Sequence, residues 1–188
     1  FGHFQVTLDS EEISDFRYDK VRALLAYLAV YHNQPFRRQS LAALLWPDVS
    51  HQSAFSNLRN AIYYLRNALE GSHRPASNSG DFLMVGKGTL QFRKTENLQL
   101  DVAEFEKLLA LEFDSNLKSS RQIRISNLEA AVALYDGGFL DGFYVDSPAF
   151  EEWLLFERHR LKESMLTALD SLATFHEDAG DLIKAQHY

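Results

Sequence analysis

Apolar and polar residues first alternate and then change to a helical spacing, which predicts short strands followed by three helices. Phe4, Val6 and Leu8 alternate with polar residues, the two-residue period of a half-buried strand. Residues 13–16 fit a second strand, so we expect a small antiparallel sheet at this end of the chain. Residues 19–32 instead carry apolar residues three and four positions apart, as in an amphipathic helix. Two further helices are predicted at residues 38–46 and 50–70.

A β-hairpin is predicted next, and the remainder of the chain is predicted to be helical. Two strand-like runs, residues 82–85 and 89–93, flank the turn Gly86-Lys87-Gly88. The helices predicted after it cover residues 101–112, residues 121–135, a long stretch from Pro148 to Gly180, and a last segment opened by Asp181. A sheet, three helices and a hairpin are the order of a winged helix-turn-helix domain, and the later helices suggest a repeat-like array. We therefore expect a fold that is mostly α with small β.

Charge is divided unevenly along the chain. The 188 residues carry a formal net charge of −7, yet residues 17–94 hold 11 basic and 4 acidic residues, a balance of +7. Residues 96–188 hold 8 basic and 18 acidic residues, a balance of −10. A field of one sign over part of a chain indicates a partner of opposite charge, which for the basic part is nucleic acid. We therefore predict two domains, residues 1–95 and residues 96–188.

The predicted third helix has a polar face that suits DNA. At 100° per residue, four apolar side chains fall on one stripe about 60° wide: Leu58, Ile62, Leu65 and Leu69. Arginine can bond guanine edges, asparagine can bond adenine edges, and serine and tyrosine hydroxyls bond phosphates. The remaining face carries residues of these types, and we predict DNA contacts from Ser56, Arg59, Asn60, Tyr63, Arg66 and Asn67.

Basic residues flank this helix in the predicted fold. Lys87 occupies the tip of the hairpin, where a wing meets phosphate or the minor groove. Arg37 and Arg38 open the second helix, and Arg93 and Lys94 close the hairpin. Because these five positions border one helix-turn-helix, we predict that they contact DNA beside the recognition helix. An ordinary solvated surface is the alternative that the sequence leaves open.

The sequence lacks the motifs of catalytic and metal sites. It has no cysteine and no His-Glu-x-x-His, P-loop or nucleophile-elbow motif, so we predict no enzyme, no cofactor and no metal. The acids of the long last helix, Glu151, Glu152 and Glu157 among them, are expected on a solvated face.

No apolar run approaches 18 residues, so no membrane partner is expected. Because the chain begins without methionine and ends inside a predicted helix, we expect it to be part of a longer protein.

The basic part contains several motifs in a characteristic order. They comprise residues 20–29 (KVRALLAYLA), Arg38 with residues 41–48 (LAALLWPD), residues 57–59 and residues 65–66. These motifs resemble the DNA-binding domain of the antibiotic regulatory protein (SARP) activators of bacteria. The resemblance implies an OmpR-like winged helix. Its recognition helix, here residues 50–70, would enter the major groove, and its wing would touch the flanking backbone.

The acidic part carries matching motifs as well. They occur in residues 100–106, residues 128–140 (LEAAVALYDGGFL) and residues 157–161. These resemble the bacterial transcriptional activator domain (BTAD) of the same family, and residues 179–181 resemble the start of a tetratricopeptide-type helix. The resemblance implies a tetratricopeptide-like, all-α second domain.

The family resemblance also implies a function. Members are cytoplasmic bacterial transcriptional activators that bind direct repeats in double-stranded promoter DNA, often as head-to-tail pairs, and recruit RNA polymerase. We therefore expect sequence-specific DNA binding as a dimer or head-to-tail pair. The alternative is a helical-repeat interaction or signalling module without DNA binding of its own, with Trp153 and Phe156 as candidate anchors for a protein partner.

Overall fold

The computed structural model describes residues 1–8, 11–70, 82–93, 98–113 and 120–188. Most of these residues lie in α-helices, as the sequence predicts, and the β-structure consists of short antiparallel strands. The helices are α1 (Asp19–Val30), α2 (Arg38–Leu45), α3 (His51–Glu70), α4 (Asp101–Phe113), α5 (Arg121–Ala133), α6 (Pro148–Asp178) and α7 (Leu182–His187). The strands are β1 (Thr7–Leu8), β2 (Glu11–Glu12), β3 (Phe36–Arg37), β4 (Leu83–Val85) and β5 (Thr89–Phe92).

The N-terminal sheet forms where the sequence predicts one, but its second strand lies earlier. Strand β1 pairs antiparallel with β2, so that Thr7 lies opposite Glu12. The strand predicted over residues 13–16 is therefore wrong. Both glutamates of β2 are exposed, so this strand is held by backbone pairing and has no apolar pattern to reveal it. Phe16, one of the apolar residues behind the prediction, is buried in the core instead.

The predicted hairpin is confirmed, and it joins a further strand. Leu83 of β4 lies opposite Phe92 of β5, and the N–H of Gly86 donates to the carbonyl of Thr89 at 3.0 Å to close the turn. Strand β3 pairs with the other edge of β5, which gives the strand order β3-β5-β4. Because β3 is two residues long and runs directly into α2, no periodicity in the sequence marks it.

The chain divides into two compact units, and each is discontinuous in sequence. The helix–hairpin unit comprises residues 4–98 and 142–154. The helical unit comprises residues 1–3, 99–141 and 155–188. The two-domain division predicted from charge stays a prediction. Over the described ranges, no helix combines the length and the apolar character needed to cross a membrane.

Helices α1 to α3 and the hairpin share the core of the helix–hairpin unit. The predicted inward faces of α1 and α3 are confirmed, because their central leucines are at most 1% exposed. These residues are Leu24, Leu28, Leu58 and Leu65. Leu90 of β5 is fully buried as well. The hydrophobic side of the hairpin therefore packs against α1, and burial of the leucine stripe of α3 leaves the opposite face of that helix outward.

Residues 142–154 also pack within the helix–hairpin unit. The indole N–H of Trp153 donates to the hydroxyl of Tyr31 at 3.1 Å. Phe150 is fully buried, and its ring centroid lies 4.9 Å from that of Trp153. Trp153, a candidate anchor for a protein partner in the sequence, therefore packs inside its own unit.

The helical unit is built from α4, α5, α7 and most of α6. Its core contains fully buried side chains from α4, α5 and α6, namely Phe105, Leu128, Leu161 and Leu172. The prediction that Asp181 begins a further helix is confirmed, since its carboxylate accepts a hydrogen bond from the N–H of Lys184 at 3.2 Å.

Glu157 departs from the solvated face predicted for the acids of α6. Its side chain is 2% exposed, and Arg160 Nε donates to it at 2.8 Å. Arg160 also pairs with Glu106 of α4 at 2.6 Å. The prediction is wrong for Glu157 because this position shares a helix face with Leu161, which lies four residues on. A carboxylate can be buried there because the arginine neutralises it.

Candidate nucleic-acid interface

Helix α3 begins with a capped first turn. The N–H of Ser53 donates to Ser50 Oγ at 3.2 Å, and the N–H of Ala54 donates to the carbonyl of Ser50 at 2.9 Å. Ser50 thus acts as the cap, because its hydroxyl satisfies an N–H that has no partner within the helix. The rings of His51 and Phe55, one turn apart, lie 4.6 Å from each other. The cap fixes where α3 starts and supports the register of its outward face.

The buried stripe of α3 is the one predicted from the sequence. It consists of residues at most 8% exposed, namely Leu58, Ile62, Leu65 and Leu69. The predicted DNA-contact residues of α3 are all at least partly exposed, and they are Ser56, Arg59, Asn60, Tyr63, Arg66 and Asn67. Tyr63 is 60% exposed, so a large aromatic ring stands in solvent in the middle of this face. Binding of DNA by these residues stays a prediction.

A cleft of about 250 Å³ lies beside α3. Its polar lining comes from α2 and α3 and consists of Arg38, Arg59, Tyr63 and Arg66. Its apolar lining consists of Phe55, Leu58, Ile62 and Val85, the last from β4. The structure therefore brings four of the predicted contact residues together at one surface, where guanidinium groups border apolar side chains.

Arg38 is positioned at this cleft by its backbone. It is the first residue of α2, directly after β3, and its N–H donates to the carbonyl of Gly88 at 3.0 Å. This bond ties the start of α2 to the turn that presents Lys87. Among the described residues, the buried Nε of Arg38 has no hydrogen-bond partner. A buried donor without an acceptor is costly, and an anion in the cleft would supply one.

Two more predicted residues lie next to this part of the structure. Lys87 is exposed in the turn between β4 and β5. Arg37 is exposed in β3, opposite Thr89 at the start of β5. Both therefore lie close in the sheet to the hairpin turn. Lys94 lies outside the described residues.

Arg93 points to the other side of the hairpin. It is exposed, and its guanidinium donates to the sulfur of Met84 at 2.9 Å. Met84 precedes Val85 in β4, and neighbouring residues of a strand point to opposite faces of a sheet. Val85 lines the cleft, so the structure places Arg93 on the opposite face of the hairpin.

Within the ranges that the structure describes, the cations around the cleft lack acidic partners. Over the described ranges, none of the following forms an ion pair with an aspartate or glutamate: Arg37, Arg38, Arg59, Arg66 and Lys87. By contrast, Arg22 on α1 pairs with Asp19 at 3.2 Å. Cations that are not neutralised by neighbours produce a positive surface potential, which attracts a polyanion.

A tyrosine pair holds α3 against the start of α1. The rings of Tyr18 and Tyr64 lie 5.9 Å apart in an edge-to-face arrangement. Burial, and after it the neighbouring Tyr64, raise the pKa of Tyr18 above its ordinary value. Tyr18 is therefore a neutral phenol at physiological pH. Tyr64 is half-buried and packs toward the core, whereas its neighbour Tyr63 is exposed on the outward face of α3.

This surface carries groups suited to recognition of nucleic acid. Guanidinium forks bind phosphate or guanine, and amide side chains bind adenine. Within the part of the chain that the structure describes, no three His, Asp or Glu side chains are grouped as a metal site would require. Sequence reasoning missed the roles of Phe55 and Val85 in lining the cleft. The signal for Val85 was the hairpin register, which places it opposite the buried Leu90.

Comparisons with known proteins bear on both the fold and the family. Residues 100–187 match the family model described as bacterial transcriptional activator domain. Among solved structures, "Mycobacterium tuberculosis EmbR in complex with low affinity phosphopeptide" matches with a TM-score of 0.78 at 20% identity. The match covers 96% of this chain and 45% of that chain, so this chain spans less than half the length of the EmbR chain. A comparison with curated protein sequences finds no match.

The two matches support different conclusions. The structural match shows that the fold is shared over nearly all of this chain. The family match covers the acidic part, for which the sequence predicts an activator domain. Residues 100–187 therefore match the bacterial transcriptional activator domain family, and the resemblance of the chain to the SARP-type transcriptional activators is confirmed.

Proposed function

We propose that the chain is a transcriptional activator that binds double-stranded DNA through its helix–hairpin unit. In this proposal the unit is an OmpR-like winged helix-turn-helix, in which α2 and α3 form the helix pair and β4–β5 is the wing. Helix α3 enters the major groove, and Lys87 contacts the flanking backbone. The observation that carries the proposal is the cleft, where Arg38, Arg59 and Arg66 converge from two helices without acidic partners among the described residues.

The helical unit would supply the link to transcription. The activator-domain family of residues 100–187 supports a role in regulating promoters rather than in catalysis. We propose binding to direct repeats as a dimer or head-to-tail pair, followed by recruitment of RNA polymerase in the bacterial cytoplasm. The charge balance of −10 over residues 96–188 supports separate roles for the two parts of the chain. The phosphates of DNA repel this acidic part, so it stays accessible to protein partners while the basic part binds DNA.

Binding to a fluorescently labelled duplex of randomised sequence tests the proposal. The dissociation constant should rise steeply with salt between about 50 and 200 mM, because bound cations release counterions from DNA. Replacing Arg66 or Arg38 with alanine should weaken binding and lower the salt slope by about one for each phosphate that the variant no longer neutralises.

Lys162→Ala is the matched control, since it removes one exposed positive charge from the helical unit. It should leave the dissociation constant and its salt slope unchanged. The proposal fails if the chain does not bind duplex DNA, or if the arginine variants bind as the control does.

A protein-interaction module without DNA binding is the second candidate function. The observation that favours it is a group of apolar side chains left in solvent on α6, where Leu155 is 64%, Phe156 62% and Leu166 49% exposed. Phe156, a candidate anchor in the sequence, is thus exposed, whereas Trp153 is half-buried. Absence of DNA binding would leave this as the better function for the chain.

A further inference from the structure

Helix α3 contains an internal repeat of seven residues. The run Leu-Arg-Asn-Ala begins at Leu58 and again at Leu65, and an isoleucine or a leucine follows it. Seven residues fall 20° short of two helical turns, so each residue of the first copy recurs on the same face about 10.5 Å further along. Two parallel rows result, an arginine row (Arg59 and Arg66) and an asparagine row (Asn60 and Asn67).

The arginine row faces the cleft. Arg59 and Arg66 both line it, and Arg38 of α2 reaches the same side. When a helix lies in the major groove, its flank faces the wall of the groove, along which the phosphates run. The arginine row is therefore placed for backbone contacts, which fix the position of a protein on DNA but carry no base information directly.

The asparagine row lies on the side of α3 directly opposite its buried stripe. With Leu58 at 0°, the buried stripe is centred near 10°, whereas Asn60 and Asn67 lie at about 200° and 180°. Both side chains therefore point directly away from the core. Both are at least partly exposed, and over the described ranges neither makes a side-chain hydrogen bond to the protein. Their amides are thus available at the part of the helix that reaches deepest into a groove.

We infer that Asn60 and Asn67 determine base specificity, each bonding the N6 and N7 edge of one adenine, while the arginine row holds the backbone. This inference rests on the proposed function, because it divides the work within the same DNA-binding surface. The 10.5 Å rise corresponds to about two to three base-pair steps, since a step is 3.4 Å along the duplex and a helix follows the groove at an incline. The two adenines are therefore separated by a fixed number of steps.

Selection of bound duplexes from a randomised pool, followed by sequencing, tests this division. The unaltered chain should select A·T pairs at two positions with that separation. Asn60→Ala should relax one position and Asn67→Ala the other, each by about 5- to 150-fold in preference for adenine. Arg59→Ala and Arg66→Ala should instead weaken binding to all sequences alike and reduce its salt slope.

Gln122→Ala is the matched amide control, because Gln122 is exposed on α5 in the helical unit. It should leave the selected sequences unchanged, and circular dichroism should show equal helix content for every variant. If the unaltered chain binds no duplex, the proposed function fails and this inference with it. If the chain binds but selects no adenine pair, or both asparagine variants relax the same position or none, the inference alone is overturned.

Discussion

Arg160 links an exposed and a buried carboxylate in the helical unit. Burial lowers the pKa of its guanidinium, but the hydrogen bonds and charges of Glu157 and Glu106 outweigh this and raise the pKa above its ordinary value. The pattern of the sequence could not show this arrangement, because Glu157 lies within a row of acids along α6. Its burial depends on a cation that reaches it on the same helix and joins it to α4.

Removing this cation should destabilise the protein. Arg160→Met keeps most of the side-chain volume but leaves Glu157 with weaker compensation for its buried charge. We expect a loss of about 1–3 kcal/mol in the free energy of unfolding, measured with urea. Lys107→Met removes the cation of an exposed pair with Glu104 and should cost less than about 1 kcal/mol. Equal losses in the two variants would contradict the importance of the buried carboxylate.

At the scale of elements, the sequence predicted long helices with a regular apolar spacing and turns that contain glycine. It did not predict the pairing of two-residue strands. Helix α3 repeats its apolar spacing over twenty residues, and the β4–β5 hairpin brackets a turn with two glycines. Strands β2 and β3 have two residues each, and their positions follow from backbone partners elsewhere in the chain. The exposed residues of α3 were therefore predictable, whereas the cleft was not, since it needs Val85 of β4 beside α3.

The junction between α6 and α7 depends on a left-handed glycine. Gly180 has a φ of +74°, and its N–H donates to the carbonyl of Glu177 at 2.9 Å. Because a side chain disfavours this conformation, Gly180→Ala should lower the free energy of unfolding by about 1 kcal/mol. Gly138 has equally open space around it but no positive φ, so Gly138→Ala should stay within about 0.5 kcal/mol of the unaltered chain. A larger loss at Gly138 than at Gly180 in thermal or urea unfolding would refute this explanation.

At the scale of the whole molecule, the sequence predicted two parts of opposite charge. It carried no sign that residues 142–154 belong to the helix–hairpin unit. That assignment depends on contacts such as the hydrogen bond from Ser147 Oγ to the carbonyl of Leu44 at 2.6 Å, which joins residues 103 positions apart. Local spacing carries no information on such a pairing, because each partner is an ordinary residue of its own segment.

A chain cut after residue 98 should therefore be much less stable than the same unit in the intact protein. It would lose Phe150, Val145 and Leu154, which are at most 2% exposed. Truncating one buried phenylalanine costs about 3–5 kcal/mol, so a loss of more than about 3 kcal/mol is expected. The loss can be measured by urea unfolding followed by the fluorescence of Trp46. The reference is the full-length chain with Trp153→Phe, in which Trp46 is likewise the single tryptophan. Equal urea midpoints for the two proteins would show that the first 98 residues are enough for the full stability of the unit.

The return of residues 142–154 also sets an order of events during synthesis on the ribosome. The segment bearing α1 to α3 and the hairpin emerges first, but its surface around Tyr31 and Leu44 has no cover until residue 154 has left the exit tunnel. A nascent chain therefore contains all residues of the basic surface before the helix–hairpin unit has received residues 142–154 and can fold completely. Because the chain must close a loop over residues 99–141 before residues 142–154 reach this surface, we expect their docking to be a late, long-range step in the folding of this unit.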